Sequence, residues 1–334
     1  MRAVYITHPT AHVGRSAERL LVRVKGERVE EIRAKGLVQL ILMGNITVSP
    51  SAIDLLLGSG IDTVFLTGSG RFRGRLTGGL SSHIRLRLAQ FRTLTTPSSA
   101  LHLAKALVRG KLQNQRALLL RSARRHGGND SLRAGARALA AARMRATLVE
   151  DSDSVRGCEG SGAAAYFRAF PALLRTPHFA FEGRSRRPPL DPVNALLSLG
   201  YTLLRNVVRA TLERVGLDPF LGALHEPQAG RDSLACDLVE EFRVPIVDAL
   251  VVAALNRGSF EPTDFEYTGP EEPVILKRET VRWFVELFER RIDARTHYEP
   301  TGKRLRFHDV IEQQARAIAR FVLGEGDYLP FAMR

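Results

Sequence analysis

Cysteine is nearly absent. Only Cys158 and Cys236 occur in 334 residues, which argues against a disulfide framework, and no C-x-x-C pair suggests zinc. Long apolar runs are missing too. No stretch approaches the ~20 apolar residues needed to span a bilayer, and the N-terminal MRAVYITHPTAHVG has no secretory character. The expectation is a cytoplasmic protein in a reducing compartment, without a membrane partner. Internal repeats and low-complexity tracts are also lacking. Acidic residues are the scarcer charge: 35 Asp and Glu stand against 49 Lys and Arg, a formal net charge of +14.

Arginine supplies most of that excess, and its planar fork suits phosphate. The balance points to nucleic acid, or less directly to an anionic membrane. A GC-rich genome favouring arginine codons would give the same excess. Hydrophobic residues make up 44% of the chain, enough for a sizeable core, and the length suggests two domains.

Residues 1 to about 80 read as strands. RAVYIT, RLLVRV, GLVQLILMG and IDTVFLT are rich in Val, Ile, Leu and Thr and are bounded by turn residues. SPSAIDLLLGSG fits one short helix, with Ser49 or Ser51 as cap, Pro50 in the first turn and Gly58 as stop. GSGRFRG has the glycines of a phosphate loop but no helix directly after it, so it reads as a turn before a last strand. From about residue 81 to 334 the apolar spacing is helical. Helices are predicted over 83–92, 99–125 and 132–148, then over 160–174, 192–215, 233–256, 278–293 and 307–323. Asp130 or Ser131 would cap the third, and Asp191-Pro192 the fifth. The expected fold class is α+β in two domains: a small N-terminal β domain, 1–80, and a larger all-α C-terminal domain, 81–334. No βα alternation is visible, which disfavours a Rossmann fold.

The stretch LHEPQAGRDSLACDLVEEFR places His225 in a polar loop, and Asp237 and Glu240 three apart on the following helix. Their Cβ atoms would lie ~5–6 Å apart on one face, with Asp248 extending the stripe. Leu234, Leu238, Val239 and Phe242 would face the core, and the acids would then form an ordinary solvated stripe. Glu159 stands among small residues in VRGCEGSGAAAYF. It is either a helix-start acid favoured by the dipole or a charge aimed into a crevice. Carboxylates gathered in a cationic protein would repel phosphate unless a cation intervenes, and oxygen ligands with one imidazole suit Mg²⁺ or Mn²⁺.

CEGSGAAAYF, NALLSLGYTLL, GLDPFLGALHE and SLACDLVEEFRVPIVD together resemble the CRISPR-associated integrase family of the spacer-acquisition module. VRGKLQNQRALL and the strand-rich N-terminal segment are similar to that family as well, so the resemblance spans the chain. It implies a DNA endonuclease that inserts foreign fragments as new spacers, by 3′-hydroxyl attack on a phosphodiester. It implies metal ligation by Glu159, His225 and Glu240, where many relatives carry aspartate at the third position. Asp237 would be a supporting acid. It also implies a homodimer joined through the β domain, a small second CRISPR-associated subunit, and double-stranded or branched DNA.

Arg243 lies one turn past Glu240, either neutralising a phosphate oxygen or pairing with Glu240 at i,i+3. Arg71, Arg73 and Arg75 alternate on one strand face, and Lys111 follows on a helix; part of this set is expected to track DNA backbone. Tyr166 and Tyr201 would stack near DNA ends or pack helices, with packing preferred. Cys158 and Cys236 read as buried small residues. Two other functions fit the same residues: a non-catalytic DNA-binding scaffold, and a metal-dependent hydrolase of small molecules, which would need a closed pocket.

Overall fold

A computed structural model describes residues 2–8, 10–78, 83–125, 128–269 and 271–333. The chain divides into two compact units, Met1–Leu80 with Ile275–Val285, and Ser81–Val274 with Glu286–Arg334. The first carries most of the strands and the second is mostly helical.

The strand unit contains β1 (Arg2–Ile6), β2 (His12–Ser16), β3 (Arg19–Val24), β4 (Glu27–Arg33), β5 (Leu37–Met43), β6 (Thr47–Val48), α1 (Pro50–Gly58), β7 (Asp62–Leu66) and β8 (Phe72–Leu76). One sheet has the order β1-β5-β7-β8, with β1, β5 and β7 parallel and β8 antiparallel to β7. The second has the order β4-β3-β2-β6. Leu40, Leu42, Leu20, Val22, Ile32 and Leu56 share one buried core.

Among the described residues one βα alternation is present, contrary to the sequence reading: β5, α1 and β7 form a parallel crossover. Ser49 caps α1 by accepting from the Ala52 N–H, and Pro50 occupies its first turn. Strand β4 escaped the sequence reading because ERVEEIR has only Ile32 buried. It is an edge strand, where charged side chains guard against further pairing. GSGRFRG is a turn, with Gly70 at φ +85°, leading into β8. Of the three alternating arginines, Arg71 and Arg73 are exposed. Arg75 is not on that outer surface: its side chain is 5% exposed and Nε lies 3.0 Å from Asp62 Oδ1.

The helical elements are α2 (Ile84–Leu94), α3 (Pro97–Arg125), α4 (Asp130–Leu148), α5 (Ser152–Ala169), α6 (Pro192–Val215), α7 (Ser233–Phe242), α8 (Ala249–Asn256), α9 (Arg278–Ile292) and α10 (Phe307–Val322). Asn129, rather than Asp130 or Ser131, caps α4 through the Leu132 N–H. Asp191 caps α6, accepting from Asn194 N at 2.8 Å, with Pro192 next. A hairpin of Arg295–Tyr298 and Lys303–Arg306 interrupts the helices, in a segment whose sequence reading held no strand.

The expected single helix over 233–256 is α7 and α8 joined by a widened i→i+5 turn over Arg243–Asp248. Pro245 explains it. Proline has no N–H and its ring clashes with the carbonyl four residues back. That carbonyl, Glu241 O, accepts instead from Asn114 Nδ2 at 2.8 Å. The Pro245 carbonyl accepts from Arg291 Nε, also at 2.8 Å. Asp248 is the last residue of that turn and accepts from the Tyr166 and Tyr201 hydroxyls, apart from the partners of Asp237 and Glu240.

Candidate active site

Helix α5 starts earlier than its sequence suggested. Asp151 caps it at Ser154 N, 2.8 Å away, which puts Glu159 in the helix interior. The helix-start reading of that acid is therefore set aside. Gly162, one turn on, is where α5 meets α3: a Cβ there would sit 2.2 Å from Leu112 Cδ2. The missing side chain lets Glu159 reach Lys111 on α3. The other glycines flanking Glu159, Gly157 and Gly160, face open space.

His225 is held by its neighbours. Asp237 Oδ2 accepts from the N–H groups of Ala223 and Leu224, at 2.6 and 2.9 Å. Oδ1 accepts from His225 N at 3.0 Å and lies 2.6 Å from His225 Nδ1. Gly222 allows this close docking, since a Cβ would approach the Ser233 and Leu234 backbone to within 2.9 Å. With Nδ1 turned to a carboxylate, the Nε2 lone pair remains for a ligand.

The acids of α7 are not a solvated stripe. Asp237, Glu240 and Glu241 are all buried. Lys111 is buried as well, and its ammonium contacts Glu159 Oε1 and lies 2.6 Å from Glu240 Oε2. Arg243 Nη2 stands 3.2 Å from the other oxygen, Oε1. The Arg243 guanidinium also lies over the Tyr201 ring, 4.7 Å from its centroid. Burial acts to raise the Glu240 pKa, but Arg243, then Lys111 and His225, outweigh it and hold the carboxyl down to about 2. Burial works against the charge on Arg243, yet Glu240, Tyr201, Asp248 and Glu159 keep it. The site opens on one side: the Glu159 and His225 side chains are 25% and 33% exposed, against 4% for Glu240.

Glu159 and Glu240 thus meet at one cation position, occupied by Lys111 Nζ, and His225 is held by Asp237, which shares its helix with Glu240. Among the described residues no three His, Cys, Asp or Glu side chains are grouped as a metal cage. The donor set nevertheless fits Mg²⁺ or Mn²⁺: two carboxylates, one imidazole oriented by an acid, and a buried Glu240 Oε2 whose neighbour is itself a cation.

Two candidates for DNA contact are corrected. Lys111 is buried between carboxylates rather than exposed on α3. Tyr166 is fully buried, packs against Phe167 and Phe170, and donates to Asp248 Oδ2 at 2.8 Å. Tyr201 donates to the other oxygen of Asp248 at 2.6 Å. Arg243 makes the i,i+3 pair and remains 22% exposed. Burial pushes the Cys236 thiol up to about 11, which makes it an inert residue.

Sequence reasoning missed a second buried network beside the first. Glu241 accepts from Tyr328 Oη, Gln314 Nε2 and Phe331 N at 2.7, 3.1 and 2.9 Å. Asn114 donates to Phe331 O and accepts from Met333 N, so the C-terminal tail is clamped onto α3 and α7. The available signal was Lys111 and Asn114, polar residues three apart on the apolar face of α3.

The family profile described as CRISPR associated protein Cas1 matches residues 4–290. A CRISPR-associated endonuclease Cas1 of Rhodospirillum rubrum is 40% identical over 276 residues, covering 80% of this chain and 79% of that protein. Two solved structures share the fold. A casposase bound to integration product superposes with a TM-score of 0.85 at 23% identity, over 99% of this chain and 93% of its own. A Cas6-RT-Cas1--Cas2 complex gives 0.85 at 24% identity, over 99% of this chain and 36% of that one.

Proposed function

Because the chain belongs to the CRISPR-associated Cas1 family, we propose that it is a metal-dependent DNA endonuclease and integrase that inserts foreign fragments as new spacers into a CRISPR array. The observation that carries this reading is the meeting of Glu159 and Glu240 at one cation position beside a histidine oriented by Asp237.

Glu159, Glu240 and His225 Nε2 would hold Mg²⁺ or Mn²⁺, and the ion would polarise the scissile phosphate and stabilise the leaving oxygen. Asp237 fixes the imidazole and keeps its ligating nitrogen turned outward. Arg243, braced on Tyr201 and Glu240, would neutralise a phosphate oxygen at the open side. A fragment's 3′-hydroxyl attacks the phosphodiester: one P–O bond forms, one breaks, and the departing strand leaves with its own 3′-hydroxyl. The count of phosphodiester bonds is unchanged, so no nucleotide hydrolysis is needed.

The fold shared with a casposase bound to integration product supports strand transfer as the chemistry. The complex containing Cas1 and Cas2 supports a small second subunit as partner. The active unit is a homodimer built through the strand unit. Arg71 and Arg73, both exposed, lie on the surface that tracks duplex or branched DNA.

One observation favours a scaffold without catalysis: Lys111 and Arg243 already neutralise the carboxylates. Both readings meet the same experiment, nicking of branched DNA in Mn²⁺ by His225→Ala. The catalytic reading expects the natural protein to nick and join strands, and His225→Ala to lose both while DNA affinity persists; no nicking by the natural protein would leave the scaffold, and nicking intact in His225→Ala would refute the metal site.

A further inference from the structure

Lys111 lies where the core face of α3 would take an apolar side chain. It is followed by Leu112, which packs on Gly162, and its own side chain is only 4% exposed. A buried cation persists only with partners. Those of Lys111 are Glu159 Oε1 and Glu240 Oε2. Among the described residues Glu240 Oε2 has no other polar partner, while its Oε1 is taken by Arg243. Two carboxylates, one ammonium and one guanidinium sum to zero. A divalent ion added to that set would leave an excess of positive charge in a largely desolvated space, offset only in part by the Asp237 carboxylate behind His225. The ammonium and the ion also seek the same oxygens.

We propose that Lys111 is a built-in stand-in for the metal. Its ammonium holds Glu159 and Glu240 together without the ion, then yields both oxygens and swings to the open side of the site when the ion binds. The inference rests on the metal-site reading of Glu159, His225 and Glu240. Lysine suits the role because its charge is compact and its four-carbon stem is flexible, whereas arginine's rigid fork would stay locked. The cost of moving the ammonium is subtracted from metal affinity, so Lys111 sets the ion concentration at which the site fills.

The test uses the full chain and Mn²⁺ alone. Calorimetric titration compares the natural protein with Lys111→Met and Glu159→Gln. Removing the competing charge is expected to tighten Mn²⁺ binding by roughly tenfold or more, lower the melting temperature without metal, and let Mn²⁺ restore most of it. In the natural protein, an amine-reactive label read by mass spectrometry should spare Lys111 without metal and modify it at saturating Mn²⁺. Equal or weaker Mn²⁺ binding by Lys111→Met, with Glu159→Gln impaired, overturns the stand-in role and leaves the metal site standing. Absence of Mn²⁺ binding by the natural protein, or binding indifferent to Glu159→Gln, overturns the metal site itself. If Lys111→Met does not fold, the label decides: protection of Lys111 unchanged by Mn²⁺ rejects the proposal.

Discussion

The Asp237 carboxylate lies 2.6 Å from the His225 ring nitrogen Nδ1 and also accepts that residue's backbone N–H at 3.0 Å. One acid therefore sets both the position of the loop and the orientation of the imidazole. Asp237→Asn keeps the shape but offers an amide where donors point. Mn²⁺-dependent nicking is expected to fall about 10- to 100-fold. Asp237→Ala should also lower the melting temperature, since each buried N–H left without an acceptor costs ~1–3 kcal/mol. Full activity in Asp237→Asn would refute the positioning role.

Burial raises Glu241 from 4.5 to about 8, despite the donors of Phe331, Tyr328 and Gln314 that favour its ionised form. The folded state then binds more protons than the unfolded state between those two values. This group's contribution makes stability fall as pH rises from about 4.5 to about 8, and level off above. The slope approaches at most ~1.4 kcal/mol per pH unit. Denaturant unfolding at several pH values, compared with Glu241→Gln, checks this. The difference between the two proteins should change across that window and be constant beyond it.

Tyr166 belongs to the core. Tyr166→Phe removes one of the two hydroxyls that satisfy buried Asp248, so stability should drop by ~1–3 kcal/mol with DNA affinity unchanged. Weakened DNA binding at an unaltered melting temperature would place the ring on the DNA surface instead.

Arg71 and Arg73 are exposed, whereas Arg75 is paired with Asp62. Replacing either exposed arginine by alanine should reduce the log–log salt slope of duplex binding by about 0.9, the value for one phosphate no longer neutralised. The weakening should be uniform across DNA sequences. Filter binding across salt concentrations measures it, and an unchanged slope removes that residue from the DNA footprint.

Local chemistry was readable where one segment carries its own signal. Asp191 followed by Pro192 starts α6 where expected, and Ser49 with Pro50 starts α1. The apolar run of β5 is buried almost throughout. Where burial comes from a partner, the signal failed. Strand β4 looks polar because it is an edge. Helix α5 begins at Ser152, within a polar, glycine-containing segment, because α3 and α4 cover it. The widened turn is caused by Pro245, but its tolerance depends on Asn114, 127 residues away from Glu241.

The same division holds at the site. The sequence by itself determined an excess of arginine, two compact structural regimes, and the residue types of the pocket, because composition, periodicity and capping act over a few neighbouring positions. Only the tertiary structure decided that Lys111 lies between Glu159 and Glu240, that Asp237 serves His225, and that Asp248 serves two tyrosines. Those pairings join side chains up to more than a hundred positions apart. Which buried charge meets which partner is settled by helix packing and desolvation, quantities that no short stretch of chain contains.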